Sequence, residues 1–208
     1  MISARQALEL LREGNRRFAS DLPGRESLAF RTHRSELALA QEPFAVILGC
    51  SDSRVPVEIV FDQGLGDLYV IRVAGNIVAP SQVGSVEFAA EQFGTRLVVV
   101  LGHSGCGAIR ATLDALLKPA MGQLHNMHSI VGRVRPSVEG LLKTELRHNH
   151  EQLMEQAVCA NIRASANHLR HGSQIIEQLI QNDGLLVVGA EYSLETGVVD
   201  FFDVPEAA

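Results

Sequence analysis

The stretch CSDSR places a thiol (Cys50), a carboxylate (Asp52) and a guanidinium (Arg54) at alternate positions. Further on, His103 and Cys106 stand together in HSGC. Thiolate and neutral imidazole suit Zn²⁺, and the His-x-x-Cys spacing lets one loop supply two ligands. Cys50, His103 and Cys106 together make three protein ligands. Three ligands leave a coordination position open for chemistry, whereas a structural zinc is usually closed by four. The nearest fourth ligand is Asp52, which keeps open the reading of a zinc-stabilised or zinc-sensing binding module. A lone cysteine beyond a strand is more often a small apolar core residue. The company of His103, Cys106, Asp52 and Arg54 turns the reading toward a metal. A cysteine-phosphatase loop would need an arginine six residues after the cysteine, and that position is Pro56.

Strand ends must position these residues. The continuous apolar run FAVILG (44–49) is bounded by proline and glycine and predicts a buried strand. DLYVIRVAG (67–75) predicts a second strand and RLVVVLG (96–102) a third. Between and after them, VGSVEFAAEQFG (83–94) and CGAIRATLDALLK (106–118) read as helices. Ser3 and Gln6 form a capping-box pattern ahead of Ala7, Leu8, Leu10, Leu11 and Phe18, so a first helix is expected over 3–19. A second helix is expected over 31–40. The segment 119–150 carries no clear periodicity. Helices over 150–171 and 173–182 and strands over 185–192 and 197–204 complete the chain. Alternating strands and helices imply an α/β fold: a mostly parallel central sheet flanked by helices, with an N-terminal helical arm. The reading is one domain over 1–208, with an arm over 1–40 and a core over 44–208. In such sheets reactive groups gather beyond the carboxyl ends of the strands. Cys50 lies past the first strand and His103 with Cys106 past the third, so the two loops are expected to meet.

The whole chain has 208 residues, 46% hydrophobic and 20% charged, which suits a packed core rather than disorder. A formal net charge of −6 without a basic run argues against a nucleic-acid partner. Runs such as LVVVLG and LLVVGA are too short to span a bilayer. The first eighteen residues lack the apolar core of a signal peptide, so a cytoplasmic protein is expected. Three cysteines do not make a disulfide framework. Cys159, inside a predicted helix, reads as buried and inert.

CSDSRVP and GHSGCGA, with DQGLGDLYVIRVAGN and GAEYSLETG, resemble the β-class carbonic anhydrases, and the resemblance covers nearly the whole chain. It implies one zinc per chain held by Cys50, His103 and Cys106, and reversible hydration of CO₂ to bicarbonate by zinc hydroxide. It also implies an Asp52–Arg54 dyad. Arg54 holds Asp52 ionised, and Asp52 accepts the hydroxide proton and so aims an oxygen lone pair at CO₂. The family's substrate pocket maps onto Gln41, Tyr69, Ala74 and Phe88, some of them supplied by a neighbouring subunit. A homodimer or dimer-based oligomer is implied, and the stripe on the first helix is expected to pack on that neighbour. Relatives of this fold hydrolyse carbonyl sulfide or carbon disulfide at the same kind of site, which is the alternative activity. Family members that are shut off by bicarbonate hold it with a tryptophan, an arginine and a tyrosine. Arg72 and Tyr192 are counterparts here, but the chain has no tryptophan. His125, His128, His148 and His150 read as solvated loop residues with no assigned role.

Overall fold

A computed structural model describes residues 2–20, 40–117 and 125–204. Of the helix expected over 31–40, residues 31–39 lie outside the described residues and Ala40 is not helical. The frame is a five-stranded sheet in the order β2-β1-β3-β4-β5. The strands are β1 (Ala45–Gly49), β2 (Leu68–Arg72), β3 (Leu97–His103), β4 (Leu186–Tyr192) and β5 (Val199–Phe202). β2, β1, β3 and β4 run parallel, and β5 returns antiparallel to β4. The second strand is shorter than expected because Ala74–Asn76 closes into a 3-10 turn.

β1 and β3 are buried along their whole length, so their sequences are continuously apolar rather than alternating. Alternation survives in which core each residue joins. Val46, Leu48, Val98 and Val100 face one core, while Ala45, Ile47, Val99 and Leu101 face the other.

The first core is covered by α3 (Pro80–Gln92), α4 (Gly107–Leu117), α5 (His128–Val138), α6 (His150–His171) and α7 (Gln174–Asn182). α5 lies in the segment that showed no periodicity. Gly132, Pro136 and Gly140 obscure it; its inner face is Val134 and Val138, both fully buried, with Ile130 partly buried a turn before them. A stripe of three apolar residues broken up by glycine and proline does not stand out as a helical period.

The second core is covered by α1 (Ala4–Ala19) and the single turn α2 (Val57–Val60). α1 begins with the expected capping box: the Gln6 N–H donates to Ser3 Oγ at 3.3 Å, and the Ser3 N–H donates to Gln6 Oε1 at 2.9 Å. The expectation that α1 packs on a neighbouring subunit is corrected: Ala4, Ala7, Leu8 and Leu11 are buried against this chain's own sheet. The contact is polar as well as apolar. Buried Asn15 donates to Val60 O at 3.2 Å and Gly197 O at 2.8 Å, and accepts from the Val199 N–H at 2.8 Å. Among the described residues, nearly all other helices sit on the opposite face, and α1 is the main cover of this one. Leu11 is completely buried there, and Leu11→Ala is expected to cost about 2–5 kcal/mol, read from urea unfolding midpoints.

Candidate metal centre

β1 and β3 are neighbours with Gly49 opposite Leu101, so their exits open on the same edge. Cys50 follows β1 directly. His103 is the last residue of β3, and a tight turn then brings Cys106 to the start of α4. Gly105 takes a φ of 65° in that turn, a conformation natural to glycine. The loop is held from β4 and the residues after it: the Ser104 N–H donates to Tyr192 O at 3.0 Å, and the Leu194 N–H to Ser104 Oγ at 3.0 Å.

The ligand atoms of Cys50, His103 and Cys106 all lie within 4.8 Å of one another, and all three residues are buried. The two sulfurs are 4.0 Å apart. His103 Nδ1 faces Ser104 O at 3.0 Å. A carbonyl only accepts, so Nδ1 carries the proton and Nε2 has a free lone pair. Nε2 is buried without a hydrogen-bond partner. An orphaned imidazole nitrogen beside two buried thiols is costly unless something binds it. This donor set fits a borderline-soft divalent metal, with the tautomer already chosen by the Nδ1 bond.

The thiols are electrostatically unequal. Cys50 is drawn well below the usual thiol range by the Cys106 thiol, against its own burial, with further help from His103 and the Gly75 N–H. Cys106 is pushed up by the Cys50 thiolate and by burial.

Asp52 and Arg54 form a bidentate pair. Arg54 Nε donates to Oδ1 at 2.9 Å and Nη2 to Oδ2 at 2.8 Å, and the Arg54 N–H adds a bond to Oδ1 at 3.0 Å. Those bonds hold the Asp52 carboxyl well below the usual carboxylate range. Asp52 Oδ2 lies 3.9 Å from His103 Nε2, so the carboxylate stands beside the position a metal would take.

The other expected site residues are divided. Ala74 opens the turn whose next residue, Gly75, contacts Cys50. Tyr69 pairs with Val46 near the start of β1, about 10 Å along the strands from the exit. Its ring packs against Phe88 at 6.3 Å and Phe93 at 5.9 Å between centroids. Phe88 is 49% exposed. Gln41 is exposed and lines a cleft of about 680 Å³ with Phe44 and Phe93. Within one chain, then, Gln41, Tyr69 and Phe88 do not join the Cys50–His103–Cys106 cluster.

Arg72 has a place that its type and position alone do not reveal. Its Nε donates to Cys50 O at 3.0 Å and its Nη2 to Asp52 O at 2.6 Å, clamping the loop between β1 and α2. Tyr192 is buried, with its ring 6.3 Å from that of Phe18 on α1. Cys159 is half-buried rather than fully buried, and donates to Glu191 Oε2 at 3.1 Å. Burial and the neighbouring carboxylate push its thiol up to about 11, which leaves it protonated and unreactive. His128, His148 and His150 are exposed and helical rather than in loops: His128 opens α5, His148 ends a 3-10 turn (Glu145–His148) and His150 opens α6. The side chain of His125 lies outside the described residues.

A parallel α/β sheet with a cysteine, a histidine and a second cysteine meeting at neighbouring strand exits defines an α/β protein built around a candidate metal centre. Residues 45–199 match the profile of the family described as carbonic anhydrase. The chain belongs to the β-class carbonic anhydrase family. It is 39% identical over 199 residues to carbonic anhydrase 2 of Mycobacterium tuberculosis, a match covering 92% of this chain and 89% of that one. It is 36% identical over 196 residues to a carbonic anhydrase of Mycolicibacterium smegmatis, covering 93% and 91%. Among solved structures, the β-carbonic anhydrase CcaA superposes with a TM-score of 0.75 at 28% identity, covering 97% of this chain and 96% of that one. The protein is an enzyme of the carbonic anhydrase class, whose general reaction is the hydration of CO₂.

Proposed function

We propose that the chain hydrates CO₂ reversibly, to bicarbonate and a proton, at one zinc held by Cys50, His103 and Cys106. The observation that carries this reading is the buried, partnerless His103 Nε2 facing two buried thiols, with Asp52 Oδ2 alongside. Zinc bound there supplies Lewis acidity that makes water nucleophilic near neutral pH, an effect best known from the three-histidine carbonic anhydrases.

The chain's own residues orient that chemistry. Arg54 occupies both oxygens of Asp52 and keeps it ionised. A carboxylate so stabilised is a poor base, so Asp52 works by accepting a hydrogen bond from the nucleophile and aiming it. The Arg72 clamp on the Cys50 and Asp52 carbonyls keeps both residues in register with His103. Two thiolates pass more charge to a metal than two imidazoles do, so the rate is expected to climb toward alkaline pH. Stopped-flow CO₂ hydration across pH, with zinc counted per chain, tests the proposal. One zinc per chain and a rate that disappears on chelation are expected. Sulfide release from carbonyl sulfide without CO₂ hydration would replace it with the alternative activity.

The active form is proposed to be a homodimer or dimer-based oligomer, with residues 1–208 of each copy acting as one domain. Supporting this, Gln41, Tyr69 and Phe88 lie away from their own chain's cluster and around a partly exposed aromatic patch. They would complete the substrate pocket of a partner's site, beside that copy's Ala74. A chain from the crystal structures of two β-carbonic anhydrases of Sordaria macrospora, described as tetrameric, shares the fold at a TM-score of 0.74. A fully active monomer in analytical ultracentrifugation would rule the dimer out. A cytoplasmic setting is proposed because all three cysteines are free. Among the described residues no helix is long and apolar enough to cross a membrane.

A further inference from the structure

Cys50 is supported through its sulfur as well as its carbonyl, and the sulfur's support leads back to α6. Cys50 Sγ accepts the Gly75 N–H at 3.4 Å. Gly75 has φ 69° and ψ 23°, a left-handed conformation that other residues adopt at a cost. A Cβ on Gly75 would come within 3.1 Å of the Ala108 Cβ. The next residue, Asn76, also has a positive φ, of 42°. Two successive residues in this region do not hold such a turn by themselves, and surrounding structure must fix it.

The fixing group is Asn161, in the middle of α6. Its Nδ2 donates to Gly75 O at 2.8 Å in a buried setting, and the residue is 2% exposed. Its helix neighbours Ala157, Val158 and Ile162 are all core residues, so an amide here is costly to bury unless it is bonded. The carbonyl that Asn161 grips and the N–H that meets Cys50 flank the same Cα. Anchoring one peptide of Gly75 opposes the rotation that would turn the other away from the sulfur.

We propose that Asn161 is a positioning residue for the metal centre, aiming the Gly75 N–H at the Cys50 sulfur through the left-handed turn. The proposal rests on the reading of Cys50 as a zinc ligand. An N–H donated to a ligating sulfur fixes its orientation and draws off part of its charge, as outer groups around metal ligands commonly do. Asn161 touches neither substrate nor metal.

Cobalt-substituted protein separates this proposal from the reading beneath it. Wild-type protein is expected to show a thiolate-to-cobalt charge-transfer band that weakens in Cys50→Ser. Without that dependence, the ligand assignment itself fails. With it in place, Asn161→Ala and Asn161→Ser are expected to shift the band to lower energy and to release zinc to a chelator about 10- to 100-fold faster. Ser165→Ala, one turn further along α6, leaves both unchanged. Folded Asn161 variants with an unshifted band and wild-type release would overturn the proposal. A measurement on wild-type protein guards against variants that fail to fold. With cadmium bound, the Gly75 amide proton is expected to couple to the metal nucleus across the Cys50 sulfur, and absence of that coupling overturns the proposal without any variant.

Discussion

His103→Ala is expected to leave a folded protein without metal and with CO₂ hydration at background. The fall should reach at least about 10³-fold, a modest share of the acceleration of about 10⁶ or more that enzymes typically provide. The side chain is fully buried, and its one free nitrogen is the atom that faces the two sulfurs. Alanine supplies no donor in its place, and two thiols alone leave a divalent ion short of ligands. Cys50→Ser and Cys106→Ser are expected to behave alike, since a serine hydroxyl does not ionise near neutral pH and is a poor substitute for thiolate. They are nearly isosteric, so the fold should survive and circular dichroism should be unchanged. Metal content by atomic absorption and rate by stopped flow make the test. Any one of the three variants that kept stoichiometric zinc and wild-type turnover would remove that residue from the ligand set.

Asp52→Asn is expected to keep the metal and lose about 10²–10³ in rate, the range seen when one preorganised group is removed from an active site. Asparagine retains an acceptor oxygen but not the charge that Arg54 holds in place. The pH dependence has a defined sign. Arg54 depresses the Asp52 carboxyl in the folded protein, so the pair's stabilisation is complete above the unfolded carboxylate value of about 3.9. It is lost as pH falls through the lower folded value. The wild type should therefore unfold at higher urea than Asp52→Asn at neutral pH, and the gap should close in acid. The gap should be small, because Arg54 is exposed and solvent screens the pair. For the rate, a carboxylate ionised throughout the working range sets its height and not its pH profile. Asp52→Asn should thus lower the curve without moving its alkaline rise. A displaced rise would mean that Asp52 itself titrates in the reaction.

The strand exits were legible in the sequence for a simple reason. FAVILG and RLVVVLG are short, rich in β-branched residues and closed by glycine, the pattern of strands buried on both faces, and a parallel sheet delivers whatever follows them to one edge. Residue type then marked Cys50, His103 and Cys106 as metal donors, and the structure brings those donors together. The Asp52–Arg54 pair was equally local, though a turn rather than an extended strand exit makes it: the Val55 N–H donates to Asp52 O at 3.0 Å and the Arg54 N–H to Asp52 Oδ1 at 3.0 Å.

What depended on long-range packing was not legible. The stripe on α1 showed that the helix would bury a face, but not which surface would cover it. That was decided by the second face of the sheet, on which α1 packs, and by three backbone groups that Asn15 satisfies. α5 stayed hidden because it docks through only a short stripe, Ile130, Val134 and Val138, while its glycine and proline speak against a helix. No spacing code links Asn161 to Gly75, 86 residues earlier, so only the fold could show that a helix amide bonds the carbonyl of the residue whose N–H meets Cys50. Strand exits and neighbouring residues are set by local backbone geometry, which sequence periodicity records. The supports around them are set by which distant surfaces happen to close on each other, and tertiary structure alone decides that.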